Sequence, residues 1–384
     1  MPQSITSLRA GIIGTGFIGP AHIEALKRLG VQVTAIVVND RAKVVADKWS
    51  VPHAITDLDH RKLVTHPEVD VVHIASPNKL HAQHAADALK AGKHVICEKP
   101  LAMTSKETAQ LLKLAQSRPK QIFAVNYNLR FYPAVLQLRA AIQRGDLGTI
   151  FHVNGSYFQD WLLKDTDYNW RLLPKEGGAL RAVSDIGTHW MDAASFVLGS
   201  RISEVYAQLE TVHKQRKRPL GEIQTYAKTK SDMKYETYPV ETEDYAAVLL
   251  RWGSGVFGSL NVSQVAAGRK NCLRLEIYGS KKSAAWNSEE PNTIYYGSRD
   301  GANETSLRGS PGFQEDVAGF TDYPGGHAEG FPDAFKMNAR AVYTVIASGK
   351  KEGALFATVE DGHHEVKVCD AILKSHKTRK WVKI

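Results

Sequence analysis

Residues 8–19 read LRAGIIGTGFIG, a short apolar run that passes directly into Gly14-x-Gly16-x-x-Gly19. Behind it Ala21, Ala25, Leu26 and Leu29 recur with helical spacing, and Gly30 supplies a stop. Three glycines alone are weak evidence, but a strand before them and a helix after them give them a role. Gly14 permits the tight turn, Gly16 lets backbone approach a pyrophosphate, and Gly19 allows helix and strand to pack closely. The N–H groups of the helix N-terminus then face the anion. Phe17 and Ile18 complete the turn. The expected cofactor-binding set therefore opens with Gly14, Gly16, Phe17, Ile18 and Gly19.

The pattern repeats downstream. A second strand, VQVTAIVV (31–38), ends in Asn39-Asp40-Arg41. An acid about 20 residues past the glycines is placed to bind a ribose, and Asp40 fits. Asn39 can hold the same tip, and Arg41 could accept a 2′-phosphate, so NAD is expected and NADP is possible. VDVVHIASPN (69–78) is a buried strand ending in Ser76-Pro77-Asn78, and LHAQHAADALKAG (80–92) a helix. HVICEKP (94–100), TSKETAQLLKLAQ (104–116) and QIFAVNY (121–127) continue as strand, Thr-capped helix and strand. Strands alternating with helices predict a doubly wound parallel sheet with ligands at the strand carboxyl ends. Lys99 of Glu98-Lys99-Pro100 stands at such an end, because the proline halts the strand.

Composition narrows the classes. The 384 residues favour two domains, with 43% hydrophobic and 23% charged residues. No apolar run approaches the roughly 18 residues of a membrane span. The N-terminus MPQSITSLRAGIIG has no secretory pattern, so a cytoplasmic location is expected. Cys97, Cys272 and Cys369 show no C-x-x-C spacing, so reduced thiols are expected and no metal site. The net charge of +9 lies partly in HKQRKRP (213–219), which lacks interleaved aromatics. It is expected to be a solvated loop and not a nucleic-acid patch.

GTGFIG, SPNKLH, CEKPLA, NYNLRF, NWR and GGALRAVSDIGTHWMD occur in that order. The combination resembles the Gfo/Idh/MocA family across nearly the whole chain. The resemblance implies a Rossmann domain followed by an α/β domain with a large open, mostly antiparallel sheet. Residues 1–125 and 126–384 are the corresponding divisions. It also implies a nicotinamide cofactor, polyol-like substrates and the activity of a sugar, glycoside or cyclitol dehydrogenase. Two other activities occur in or near this family: NAD-dependent glycoside cleavage, and sugar sensing without catalysis.

Within SDIGTHWMDAASFVL (184–198), Ile186, Trp190, Ala193, Ala194 and Val197 form one apolar stripe. Asp185, His189 and Asp192 lie on another face. Periodicity alone makes this an amphipathic helix with a wet side, and Asp192 is expected either on that surface or in support behind the site residues. The resemblance implies more: the family's catalytic set carries over as Lys99, Asp185 and His189. Oxidising a secondary alcohol removes a hydride from carbon and a proton from oxygen. His189 is the expected base, since imidazole titrates near neutral pH. Lys99 is expected to stabilise charge on the reacting oxygen, and Asp185 to place a substrate hydroxyl or support the imidazolium. Relatives that use a lysine or tyrosine as base keep Lys99 open as the alternative.

From about Leu147 strands follow strands: GTIFHVNGSYF, ISEVYAQLETV, DYAAVLLRW, GVFGSLNVSQV, CLRLEIYG, SAAWN and TIYYG. In GVFGSLNV, Val256, Gly258, Leu260 and Val262 share one side. This is an antiparallel sheet with one covered face, and its open face is the expected surface of a homodimer or tetramer. Residues 218–240 read as an irregular insertion. FQDWLLKDTDYNWRL (158–172) offers flat rings and hydroxyl-binding groups for a sugar, Trp161 among them. Trp170 and Arg171 occupy the family's cofactor-facing position. His81, Asn126 and Glu98 complete the expected cofactor set with Ser76, Pro77 and Asn78. Arg130 and the loop residue His327 complete the substrate set with Lys99, Trp161, Asp185 and His189.

Overall fold

The structure is a computed structural model and describes residues 4–39, 42–220 and 234–384. Its first elements are β1 (Arg9–Ile13), α1 (Gly19–Arg28), β2 (Gln32–Val37), α2 (Ala42–Trp49), β3 (His53–Ile55), α3 (His60–Val64), β4 (Val71–Ile74), α4 (Asn78–Lys90), β5 (His94–Cys97), α5 (Ser105–Gln116) and β6 (Phe123–Val125). Next come α6 (Pro133–Arg144), β7 (Ile150–Phe158), α7 (Pro174–Gly177), α8 (Thr188–Leu198), β8 (Ile202–Glu210), β9 (Gln215–Pro219), β10 (Tyr235–Pro239), β11 (Tyr245–Trp252), β12 (Phe257–Ser263), β13 (Cys272–Gly279), β14 (Ser283–Asn287), β15 (Thr293–Gly297) and β16 (Glu304–Leu307). The chain ends with α9 (Phe313–Val317), α10 (Phe331–Ser348), β17 (Ala357–Thr358), α11 (Val359–Thr378) and β18 (Val382–Lys383).

The chain divides into two units. The first holds Met1–Phe131 and Phe331–Val366, and the second holds Tyr132–Gly330 and Lys367–Ile384. In the first unit the sheet order is β17-β6-β5-β4-β1-β2-β3, parallel throughout except at β17. β4 is buried at every position, as befits a strand covered by helices on both faces. Thr104 and Glu107 form a reciprocal capping box at the start of α5. Sequence order assigns everything after residue 125 to the second domain, but 331–366 belong with the first. β17 adds an antiparallel edge to β6, pairing Ala357 with Val125, and α10 packs on α1. A two-residue strand leaves no periodicity to read.

The second unit is built on a nine-stranded sheet, β16-β15-β14-β13-β7-β12-β11-β8-β18. All the strands expected from the sequence are in it, and the pairing is antiparallel except between β12 and β7. Alternation tells which residues face the core but not which way a neighbour runs. The stretch expected to be irregular is instead flanked by a two-stranded antiparallel ribbon, β9 with β10; residues 221–233 between them lie outside the description. Polar residues fill both strands because much of the ribbon is exposed.

The helix α8 is anchored on this sheet through one close approach. The Trp190 indole N–H donates to the Arg274 carbonyl at 2.8 Å, passing over Gly155 of β7. A Cβ on Gly155 would come within 2.2 Å of the Trp190 nitrogen, so only glycine leaves room for the ring. The stripe Ile186, Trp190, Ala193, Ala194 and Val197 is buried as expected. Asp192 is also buried, at 1% exposure, which corrects the expectation of a place on the helix surface and leaves that of a supporting residue. α8 packs against α6 as well as against the sheet, so more of it is covered than the apolar stripe alone. The three cysteines are free thiols, all buried. No helix among the described residues is long and apolar enough to cross a membrane.

Candidate active site

In the first unit the turn after β1 has the geometry its glycines require. Gly14 has φ +93°, and a Cβ there would lie 2.6 Å from the Ala75 carbonyl oxygen. Its N–H donates to the Val37 carbonyl at 3.0 Å, tying the turn to β2. A Cβ on Gly19 would lie 2.3 Å from the Gly14 carbonyl oxygen, so helix and turn touch. Gly16 differs: a Cβ there would meet nothing within 4 Å. The Thr15 hydroxyl beside it is buried without a hydrogen-bond partner. An open backbone edge with an unsatisfied hydroxyl next to it fits a phosphate-bearing cofactor. Phe17 is 63% exposed on the same turn. Asn39 follows β2, whereas Asp40 and Arg41 lie outside the described residues.

The ends of β4 and β5 are bound together. The His81 ring nitrogens face the Ser76 and Pro100 carbonyls, each at 2.8 Å, and Ser76 Oγ meets His84 Nδ1 at 3.0 Å. His81 thus holds the two loops, with its ring taken up by them. Pro77 precedes α4, whose first residue, Asn78, is buried. Lys99 is half-buried and joined to Pro100 by a cis peptide. The Glu98 carboxylate beneath it faces inward. It accepts hydrogen bonds from Asn126 Nδ2 at 2.5 Å and the Lys99 amide at 3.3 Å, and it meets His22 Nε2 at 3.0 Å. Burial opposes its charge, but the His22 hydrogen bond and the charges of His22 and Lys99 bring its pKa down to about 2.

Two residues expected to meet ligand also hold protein groups together. Asn126 donates to Glu98 and accepts from Asn338 Nδ2 at 2.7 Å. Arg130 is buried, with its guanidinium 3.2 Å from Asp361 and 3.4 Å from the Leu355 carbonyl. It ties the segment after β6 to the start of α11. From sequence, both looked like groups at a strand end reaching for ligand. Asn338, Leu355 and Asp361 lie more than 200 positions from them, where no local pattern could show them.

In the second unit, a π-helical turn (Val183–Gly187) precedes α8, so Asp185 and His189 are not on one uniform α-helix. Such wide turns recur at functional sites. Glu243 caps its start by accepting the Arg181 and Val183 amides, each at 2.9 Å. Burial pushes the Glu243 carboxyl up, against those amides and Arg181. The Asp185 carboxylate is held at both oxygens: Arg171 Nε lies 3.2 Å from Oδ1, and Gln264 Nε2 donates to Oδ2 at 2.9 Å. His189 is half-buried one turn on, its ring 6.4 Å from that of Tyr157. Arg171 also covers the Trp170 ring at 4.4 Å. The structure thus gives the expected Trp-Arg pair a contact with Asp185 that the sequence did not show.

Trp161 donates its indole N–H to Gln159 Oε1 at 2.8 Å and packs against Leu162, Leu172 and Val240. His327 is exposed on the loop before α10, with its carbonyl bonded to Arg308. Gln264 and His22 were missed, though a signal existed for each. Gln264 continues the buried phase of Gly258, Leu260 and Val262, and His22 falls among the buried positions Gly19, Ile23 and Leu26 of α1. A polar residue at an apolar position asks for a partner.

Residues 8–127 match the model of the GFO/IDH/MocA oxidoreductase family with an NAD-binding Rossmann fold, and residues 135–285 match the GFO/IDH/MocA C-terminal domain. The chain is 28% identical over 398 residues to levoglucosan dehydrogenase of Pseudarthrobacter phenanthrenivorans, with 98% of each chain covered. The crystal structure of an oxidoreductase domain protein from Kribbella flavida aligns with a TM-score of 0.86 at 31% identity, over 99% of both chains. Levoglucosan dehydrogenase in complex with NADH and L-sorbose aligns with a TM-score of 0.86 at 28% identity, over 98% of both chains. The chain therefore belongs to the Gfo/Idh/MocA family of NAD-dependent oxidoreductases.

Proposed function

We propose that the protein oxidises a secondary alcohol of a sugar, glycoside or cyclitol, with His189 as the base and Lys99 and Asp185 as its partners. The observation that carries this reading is the Asp185 carboxylate. It is clamped at both oxygens by Arg171 and Gln264, one turn before a half-buried histidine. A carboxylate held this way is a fixed acceptor for a substrate hydroxyl. The levoglucosan dehydrogenase relative supports a sugar-like substrate.

NAD+ bound at the glycine turn supplies the hydride acceptor. The chain's own residues manage the proton. The His189 imidazole takes it from the hydroxyl as the hydride leaves carbon, and the product carbonyl forms. The Lys99 ammonium donates a hydrogen bond to the same oxygen and stabilises the charge that develops there. Gly14, Gly16, Phe17, Ile18, Gly19, Asn39 and Ser76–Asn78 would hold the cofactor, with NAD preferred to NADP because Asp40 would repel a 2′-phosphate.

The open face of the nine-stranded sheet exposes Leu249 and Phe257 at 48% and 54%, which supports a homodimer or tetramer formed through that face. A cytoplasmic location accords with three free thiols. The reading is tested by following NADH formation with levoglucosan, myo-inositol, aldoses and open-chain polyols. His189→Ala should lower kcat by roughly 10²–10⁴-fold. Lys99→Ala should do similar damage, and the two losses should not multiply. A His189→Ala variant at full turnover, with Lys99→Ala inactive, would transfer the base role to Lys99. Full turnover in both would refute the reading.

A further inference from the structure

Asp185 is one point on a closed ring of polar contacts, all within the second unit. Gln264 Nε2 donates to Asp185 at 2.9 Å, and Gln264 Oε1 accepts from Arg181 Nη1 at 2.8 Å. Arg181 Nη2 pairs with Asp244, whose same oxygen accepts from Arg216 Nη2 at 2.7 Å. Arg216, on the ribbon strand β9, donates to the Leu162 and Lys164 carbonyls, each at 2.9 Å. The segment it grips runs on to Trp170 and Arg171, and Arg171 returns to Asp185 at 3.2 Å. The side chains of Arg181, Asp244 and Arg216 are fully buried, and Gln264 is at 0% exposure.

We propose that Gln264 is the positioning residue of Asp185, its amide polarity locked by Arg181, so that the carboxylate can only act as an acceptor.

The argument rests on the donor inventory. A guanidinium only donates, so the Gln264 carbonyl must face Arg181 and its NH2 must face Asp185. Arg181 cannot swing away, because Asp244 holds it, and Asp244 is held in turn by Arg216 and by the His213 amide at 3.0 Å. Burial opposes the charge on Asp244, but Arg181, that amide and Arg216 keep its carboxyl below the usual range. Both Asp185 oxygens therefore meet donors. Protonating either oxygen would set a hydroxyl against an N–H and lose a hydrogen bond. The charged neighbours are Arg171 from the 158–172 segment, Arg181 and Asp244 behind Gln264, Glu243 at the head of the π-helical turn, and His189 and Asp192 on α8. Arg216 lies in the 213–219 stretch expected to be a solvated loop, but it is fully buried on the strand β9 and brings the ribbon into the device.

This inference rests on the proposed role of Asp185, and the test separates the two. The pH dependence of kcat and KM is measured with NAD+ and levoglucosan, or whichever polyol of the panel turns over best. The variants are Gln264→Glu, Gln264→Leu and Asp185→Asn, with Tm and NAD+ affinity as checks on folding. Gln264→Glu is nearly isosteric and sets a carboxylate against Asp185. One of the two must then hold a proton, and the acid limb of kcat/KM should move up by about one unit. Gln264→Leu should lower kcat by about 10–100-fold, with NAD+ affinity unchanged. A crystal structure of Gln264→Leu reads the carboxylate whether or not any substrate turns over. With Arg171 still holding Oδ1, the Asp185 carboxylate should have turned so that Oδ2 leaves the place Gln264 held it in. An unmoved carboxylate, or an unshifted acid limb in Gln264→Glu with full turnover in Gln264→Leu, overturns the inference. Full activity in Asp185→Asn instead overturns the proposed function.

Discussion

The Glu98 carboxylate lies 3.0 Å from the imidazole of His22, and both side chains are buried. The contact begins a longer chain: His22 Nδ1 meets His73 Nδ1 at 2.9 Å, and His73 Nε2 meets the Tyr343 hydroxyl at 3.0 Å. Burial drives the His73 pKa well down, which suits the acceptor it presents to Tyr343. The residue next to Lys99 is thus fixed from inside the first unit.

This arrangement has a pH signature. The Glu98 pKa falls from an ordinary 4.5 to about 2 in the folded protein. A lowered carboxyl pKa stabilises the fold above the unfolded value and loses that contribution as pH drops through the folded one. The contribution is on the order of 3 kcal/mol. Glu98→Gln should have a lower Tm than the parent at pH 7, and the gap should close between about pH 4.5 and pH 2. Thermal melts of both proteins across that range check it, and a gap independent of pH would mean Glu98 is not ionised there.

Gly14 and Gly16 should separate stability from cofactor binding. Gly14→Ala forces a side chain into a φ of +93° and against the Ala75 carbonyl, so it should destabilise the protein by about 1–3 kcal/mol. Gly16→Ala adds a methyl that meets no protein atom. Its Tm should match the parent, while NAD+ affinity falls about tenfold, roughly 1.4 kcal/mol. Melting curves and calorimetry on the two variants test the contrast; equal NAD+ affinity in Gly16→Ala would place the pyrophosphate elsewhere.

The difference between those two glycines shows what was readable in the chain. A phosphate turn is a local device, written in twelve consecutive residues, and it stands where the spacing put it. The alternation of β12 likewise told which of its residues face the core. The direction of its neighbour β7 depends on contacts a hundred positions apart and was not readable. His189 stands in the first turn of α8, but Asp185 sits on the π-helical turn before it and not on the same helix face as the spacing predicted. The donors that hold Asp185 come from the 158–172 segment and the residue after β12. Arg171 looked like a cofactor contact because its motif says nothing about a carboxylate 14 positions on. A site residue's identity is local, whereas its partners are set by tertiary structure.

Trp190 should be the main anchor of the helix that carries His189. Its ring is fully buried, and its N–H caps the Arg274 carbonyl. Trp190→Ala should cost about 3–5 kcal/mol through the cavity it leaves, with further loss from the stranded carbonyl. Trp190→Phe keeps most of the volume but not the donor, so it should cost about 1–3 kcal/mol. Denaturant unfolding of the pair measures both terms. A Trp190→Phe variant as stable as the parent would mean that the indole hydrogen bond adds nothing.

His189 and Asp192 lie three positions apart and should fail in opposite ways. His189 is half-buried at the first turn of α8, and its proposed work is to take a proton. His189→Ala should keep Tm within about 1–2 °C of the parent while kcat falls, since a partly exposed side chain contributes little to packing. Asp192 is at 1% exposure. Its carboxylate could be buried at that depth only with partners to offset the cost of desolvation. Asp192→Ala strands those partners and should cost about 3–5 kcal/mol, lowering Tm by several degrees. At temperatures where the variant stays folded, its kcat should stay within about threefold of the parent, because no chemical step uses Asp192. The decisive measurement is kcat beside Tm for both variants. A stable but inactive Asp192→Ala would mean that this aspartate acts on the substrate, and the division of labour along α8 would have to be redrawn.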